Sequence, residues 1–465
     1  MKPLVHDDFL LITELGRQLY HQHAASQPII DYHSHVDAGD LAADRSFTNL
    51  AQLWVTSDPY KHRAMRIAGV PEAFITGPAS DEEKFLRWAD TVPQLLGNPL
   101  YHWTALELKR YFNISTPLNP GTAKQIWNDC NDRLGQAAFT ARGLLTQRNV
   151  ECVCTSDRLL DDLSSHAALA KCDFATRVLP SLRADDILAI DTADFCAWAK
   201  RLGQATGITI EGYASFGDAV ARRLDAFQAL GCRLADHALD DFTYVSVGES
   251  QTAALFDRVL TGSTLNPAEA VALRSGMLRQ LGTDYARRGL ILQLHLGAQR
   301  RTSTRLRNLA GPAGGFASIG NSVDIQSLCA FLDDLEKAGA LPRTILYPLN
   351  PVDFPSMAVL GGSFAEDGVR GKIQLGPAWW FNDHAGGMRA QLEAVASHGL
   401  LSVFVGMTTD SRSLLSMTRH EYFRRLFCDW VGEQAVRGAF PDDLAQLGQL
   451  VEAICYENPR RALSL

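Results

Sequence analysis

The chain has 465 residues, 46% of them hydrophobic and 21% charged, with a formal net charge of −8 at pH 7. That is enough apolar chain for a large buried core, and the acidic balance leaves no basic footprint for nucleic acid or an anionic membrane surface. Nine cysteines, an odd number without disulfide spacing, read as reduced thiols.

Met1 to Asp8 contain no apolar signal core, and no run approaches the roughly 18 uninterrupted apolar residues of a membrane span. The expectation is a cytoplasmic protein. The first strand signal is Pro28-Ile29-Ile30-Asp31-Tyr32-His33-Ser34-His35. Side chains alternate along a strand, so His33 and His35 are expected on one face, where two imidazoles make half of a divalent-metal site. A surface pair just past a buried strand is the plainer alternative. Further short apolar runs follow at 150–154, 175–180, 232–235, 290–294, 343–347 and 372–375. The eighth, Leu401 to Val405, reads as a buried strand that runs into Thr408-Thr409-Asp410-Ser411-Arg412. Asp410 and Arg412 would then share a face. Helical stretches fill most gaps, at 216–230, 267–289, 325–340 and 387–399.

Eight apolar runs alternating with helices predict an α/β fold, a (β/α)8 barrel, with an open doubly wound sheet as the competitor. The barrel is favoured because His35, Asp157, Arg183, His237, His295, Asn350, Trp380 and Asp410 each lie at or just past a strand's carboxyl end and would converge on one mouth. Residues 1–39 supply an N-terminal helix and the first strand, 40–145 a helical insertion over the mouth, and 146–465 the rest of the barrel. Residues 298–322 form a Gly-rich loop after the fifth strand, and long loops at that face are usually functional. Cys152 and Cys154 are expected to point into a core from one strand face.

Several segments together make the chain resemble the uronate isomerase (glucuronate isomerase) family of the amidohydrolase superfamily. They are Asp8-Phe9-Leu10-Leu11, Asp31-Tyr32-His33-Ser34-His35, Gly97-Asn98-Pro99-Leu100-Tyr101-His102-Trp103, Ala235-Asp236-His237-Ala238-Leu239, Tyr285-Ala286-Arg287-Arg288-Gly289, Trp379-Trp380-Phe381-Asn382-Asp383, Thr409-Asp410-Ser411-Arg412-Ser413 and Thr418 through Arg425. The resemblance implies a distorted TIM barrel of the metal-dependent hydrolase type and an aldose–ketose isomerase acting on hexuronates. D-glucuronate would become D-fructuronate, and D-galacturonate D-tagaturonate. It places His33, His35 and Asp410 on metal positions, and Tyr60, Arg183, His295, Arg412 and Trp380 on pocket positions. Two departures stand out. Pro59 replaces a histidine that usually precedes Tyr60, with His62 and Arg63 as candidate replacements, and Val352 replaces an arginine.

Such an isomerisation moves a proton between C2 and C1 through an enediol, so it needs a base, an electrophile and a clamp for the substrate carboxylate. His33, His35 and Asp410 are expected to hold one divalent ion, zinc in the first instance with manganese or a similar ion as the alternative. Asp410 could also take the hydroxyl proton during ring opening. Arg412 and Arg183 suit bidentate contact with a carboxylate, against a structural Asp410–Arg412 pair. Tyr60 is a candidate proton shuttle if a neighbouring arginine or the metal lowers its reference pKa of about 10. His295, Trp380 and His62 are expected to line the substrate pocket. The competing readings are a metal-dependent hydrolase on the same barrel, an isomerase for a related sugar acid, and a non-catalytic sugar-acid-binding protein. A small sugar acid is the expected partner, and a homo-oligomer is left open.

Overall fold

The computed structural model describes residues 3–465. Seven parallel strands form at seven of the eight expected places: β1 (Ile29–Asp31), β2 (Val150–Cys154), β3 (Arg177–Leu179), β4 (Leu234–Leu239), β5 (Ile291–Leu296), β6 (Thr344–Pro348) and β7 (Ile373–Leu375). The ladders run β1–β2–β3 and β4–β5–β6–β7. Pro180 has no N–H to donate, and the third strand is interrupted there. It resumes at Leu182–Arg183, pairing with β4 on one side and with Asp157–Arg158 on the other. The two sheets are thus joined through continuous chain.

The eighth element differs from expectation. Leu401–Val403 is a 3-10 turn, and the extended chain after it carries no strand ladder. Its polar backbone is satisfied by side chains instead. Gln374 accepts from the Val405 N–H at 3.1 Å, and Asn458 donates to the carbonyls of Ser402 and Phe404. At Gly406 (φ 81°) a Cβ would lie 2.3 Å from the Ile454 carbonyl oxygen, so only glycine fits. The join to β1 is made by a buried carboxylate. Asp31 accepts from the Thr409 N–H at 2.9 Å, the Thr408 hydroxyl at 2.6 Å and the Thr409 hydroxyl at 2.5 Å. Past it, Asp410 N donates to the His33 carbonyl at 3.0 Å and His35 N to the Ser411 carbonyl at 2.9 Å. An α/β barrel results, its eighth position joined to its neighbours by side chains and by these two backbone bonds in place of a strand ladder.

Ile30, Cys152, Cys154, Leu234, Ile291, Ile345 and Val405 form one buried apolar cluster, the packed inside of the barrel. Helices Tyr213–Ala229, Pro267–Arg288, Ile325–Lys337, Phe354–Ser363 and Ala385–His398 follow β3 to β7 in turn around it. The longest, Pro267–Arg288, starts with an Asn266/Glu269 capping box and proline at its first position, and ends at Gly289 (φ 65°). Between β1 and β2 the chain is helical, including Leu50–Trp54, Pro59–Ile67, Asp81–Thr91, Pro99–Phe112 and Ala123–Leu134, packed on aromatic pairs such as Trp54–Phe85 and Phe85–Trp127. No helix among the described residues is long and apolar enough to cross a membrane.

Thr408→Val keeps the shape of a side chain that bridges Asp31 and the His33 backbone but removes its hydroxyl. It is expected to cost about 1–3 kcal/mol, the usual penalty for a buried polar group left unpaired. Urea denaturation monitored by circular dichroism would show a lowered midpoint with an unchanged slope; an unchanged midpoint would mean that Asp31 does not close the barrel.

Candidate functional site

The strand-end residues meet at a cavity of about 360 Å³ at the carboxyl end of the barrel, lined by His33, His35, Tyr60, Arg183, His295, Trp380, Asp410 and Arg412 together with groups not singled out from sequence. His33 and His35 lie beyond β1, not on it, and still converge. Both Nε2 atoms reach Asp410 Oδ1, at 3.3 and 2.9 Å. Trp379 Nε1 donates to Asp410 Oδ2 at 2.8 Å. Asp410 takes this position with φ at 48°, and Trp380 sits at φ 51°. Backbone in that region costs about 1–3 kcal/mol for a bulky residue and persists where the surroundings impose it.

Alternation fixes what enters from the middle strands. Leu234 belongs to the apolar inner layer, so Asp236 and Ala238 follow it on the inner face; Ile291 likewise sets Gln293 and His295. His33, Asp236 and His295 form a second group of potential ligands sharing His33 with the first. Asp236 was not among the residues expected at the site, whereas its neighbour His237 was considered for it. His237 points the other way and bonds the Tyr285 hydroxyl at 3.0 Å. Asp157 and Asn350 are also spent locally, on Thr155 and on capping Val352 N.

His62 does not line the cavity. It is buried two residues beyond Tyr60, about 200° round the same helix, with Nε2 against the Val55 carbonyl at 2.9 Å. Arg63 instead donates to the Ala317 carbonyl and so ties the helix to the 298–322 loop. That loop holds a short antiparallel pair and a helix, Thr304–Ala310, and contributes Arg300, Pro312, Ala313, Gly315 and Ala317 to the cavity wall. Pro59 lines the cavity, but Val352 is 66% exposed and lies outside it, so only the first departure from the family pattern touches the site.

The charge distribution is uneven. Burial pushes the Asp410 carboxyl up, but hydrogen bonds from His33 and His35 outweigh this and hold it well below the usual range. Burial raises Asp236 to about 7 against the pull of His33 and Arg183, and drives His295 well below the ordinary histidine value. Burial also raises Tyr60, with Arg419 opposing too weakly to prevail. The arginine alone does not bring the phenol down, which leaves that part of the expected shuttle role to a metal. Arg183 bonds Asp185 at 2.8 Å. Arg412 is exposed to the cavity and forms no ion pair with Asp410 or any other described residue.

The donor set suits a divalent cation. His33, His35 and Asp410 each present a ligand atom within 4.8 Å of the others, all nitrogen or carboxylate oxygen. Both ring nitrogens of His295 and Oδ1 of Asp236 are buried without a hydrogen-bond partner, an arrangement that is costly unless a cation or ligand satisfies them.

A glucuronate isomerase family model matches residues 1–463. The chain is 47% identical to a uronate isomerase of Vibrio vulnificus over 464 residues, covering 99% of both proteins. It is 46% identical to one of Bacillus licheniformis over 460 residues, 99% of this chain and 97% of the relative. Among solved structures, a uronate isomerase from Thermotoga maritima superposes with a TM-score of 0.93 at 30% identity, covering 99% of both chains.

If these side chains hold an ion, His33→Ala should reduce bound metal severalfold by elemental analysis, while His62→Ala should leave it unchanged. Divalent ion added to the stripped protein should raise the wild-type melting temperature and not that of His33→Ala.

Proposed function

The chain belongs to the glucuronate isomerase family, and on that premise we propose that the cavity at the barrel mouth interconverts D-glucuronate with D-fructuronate and D-galacturonate with D-tagaturonate. One observation carries the reading: a single cavity holds an ionised acceptor, Asp410, a protonated donor, Tyr60, and an unpaired cation, Arg412. Aldose and ketose differ by a proton on carbon and one on oxygen, so the site must take a proton from C2 and supply one to the C1 oxygen, then take one from the C2 oxygen and supply one to C1.

His33, His35 and Asp410 would hold the ion, zinc by the nitrogen and carboxylate donor set, with His295 and Asp236 beside it. A divalent ion there would supply electrophilic polarisation of a substrate oxygen. Asp410, fixed by both histidines and by Trp379, accepts the hydroxyl proton that ring opening releases. Arg412 and the free edge of Arg183 carry charge and planar donors suited to the substrate carboxylate and the enediolate oxygens. Tyr60 donates to the oxygen that becomes a hydroxyl. The Trp380 face forms an apolar wall. Residues 40–145, with the 298–322 loop, are proposed as the cover that limits water at the enediol.

A hydrolase of the same barrel would need an activated water in place of the Tyr60 donor. Incubation with hexuronates and related sugar acids, followed for ketose, distinguishes the two. Ketose from a hexuronate is expected in wild type, and Asp410→Asn should abolish it with the circular dichroism spectrum retained. Wild-type turnover by that variant would remove Asp410 from the chemistry.

Arg412→Lys retains charge without the planar fork and is expected to lower kcat/KM at least tenfold. A fall in melting temperature with unchanged activity of the folded fraction would assign Arg412 a structural role instead.

A further inference from the structure

Arg419 and Asp383 form an ion pair about as deeply buried as any in the protein, 1% and 2% exposed, outside the set of groups assigned above. Removing two charges from water is expensive, and a buried pair seldom improves stability over apolar packing of the same volume. The pair is also incompletely satisfied: Arg419 Nε and Asp383 Oδ1 have no hydrogen-bond partner. Its placement suggests what it is for. Asp383 closes the turn that carries Trp380, its N–H donating to the Trp380 carbonyl at 3.1 Å. Arg419 opens the helix Thr418–Val436 that follows the Asp410 segment. Its guanidinium lies 4.2 Å from the centre of the Trp103 ring and 5.4 Å from that of Tyr60, which meets Trp103 edge to face.

A buried cation held over two rings at once limits how each can sit against the other. We propose that Arg419, pinned by Asp383, is a positioning residue that holds the Tyr60 ring against Trp103 so that its hydroxyl is presented to the substrate oxygen across the cavity. The other end of Tyr60 is set independently. Asp58 accepts from the backbone N–H groups of Tyr60 at 2.8 Å and of Lys61 at 3.3 Å and pairs with the buried Lys61 ammonium, while Pro59 fixes the first helical turn. The backbone start comes from Asp58, and the placement of the ring comes from Arg419. The inference rests on the assignment of Tyr60 as the proton donor.

A double-mutant cycle tests it, with kcat and KM measured on a hexuronate by metal-loaded enzyme. Arg419→Lys keeps a cation against Asp383 but loses the planar fork that bonds Asp383 while lying over the Trp103 and Tyr60 rings. The expected result is a fall in kcat of at least tenfold with KM within twofold and metal content unchanged, and no further loss when the substitution is placed on Tyr60→Phe. Losses that multiply in the double variant, or a change in KM or metal content instead of kcat, would overturn the role of Arg419 while leaving Tyr60 in place. Wild-type kcat in Tyr60→Phe alone would overturn both. Should Arg419→Lys fail to fold, Asp383→Asn takes its place in the cycle, because it releases Arg419 without removing it; the same absence of further loss on Tyr60→Phe is expected, and multiplying losses count against the proposal equally.

Discussion

The barrel and its site depend on one buried carboxylate. Asp31 lies at the end of β1 with no exposure to solvent and accepts from the backbone and hydroxyls of a segment far away in sequence. Burying an ionised carboxyl without partners is costly, and here the partners are the means of closure. Because Asp31 holds Thr408 and Thr409, Asp410 emerges beside His33 and His35 and not past them. The same threonines leave Asp410 in a left-handed conformation that turns its carboxylate toward both imidazoles. Closure of the fold and convergence of the ligand set are one event.

Above the apolar inner layer the barrel breaks the rules it obeys elsewhere. His295 and Asp236 leave polar atoms unpaired in the interior, Trp380 adopts a backbone conformation that bulky residues avoid, and Arg419 carries a charge through the core. Violations of this kind cluster where a protein gives up stability for function. The acidic total conceals the cations at the mouth, where Arg158, Arg183, Arg300 and Arg412 stand among Asp58, Asp185, Asp186, Asp236 and Asp410. An anionic substrate therefore meets a local field that the net charge does not report.

Seven strands were legible because buried parallel strands are short continuous apolar runs, and Val150–Cys154 and Ile291–Leu296 read that way directly. Leu401 to Val405 has the same composition, yet its hydrogen bonds go to Gln374 and Asn458, and no local pattern distinguishes a backbone partner from a side-chain one. At the site, residue type was easier to read than direction. His237 drew attention because histidine is a ligand; Asp236 is the residue that faces inward, and only the register of β4 against its neighbours decides between them. His62 illustrates the helical version of the same limit, since two positions along a helix lead to the opposite side from Tyr60. Ordered matches to a known family located Tyr60, which no isolated motif would have marked, and placed Arg183, already noted at a strand end, in the pocket.

The closure of this barrel also orders events in time. The histidine pair follows directly on the first strand made on the ribosome, and the residue that completes the candidate ligand set follows only after the interval of 377 residues separating Asp31 from Thr408. A nascent chain holds two imidazoles without their carboxylate throughout that interval, so it offers a poor trap for stray metal. An ion held by this set would then be loaded after synthesis, into a protein whose remaining strands have already been laid down.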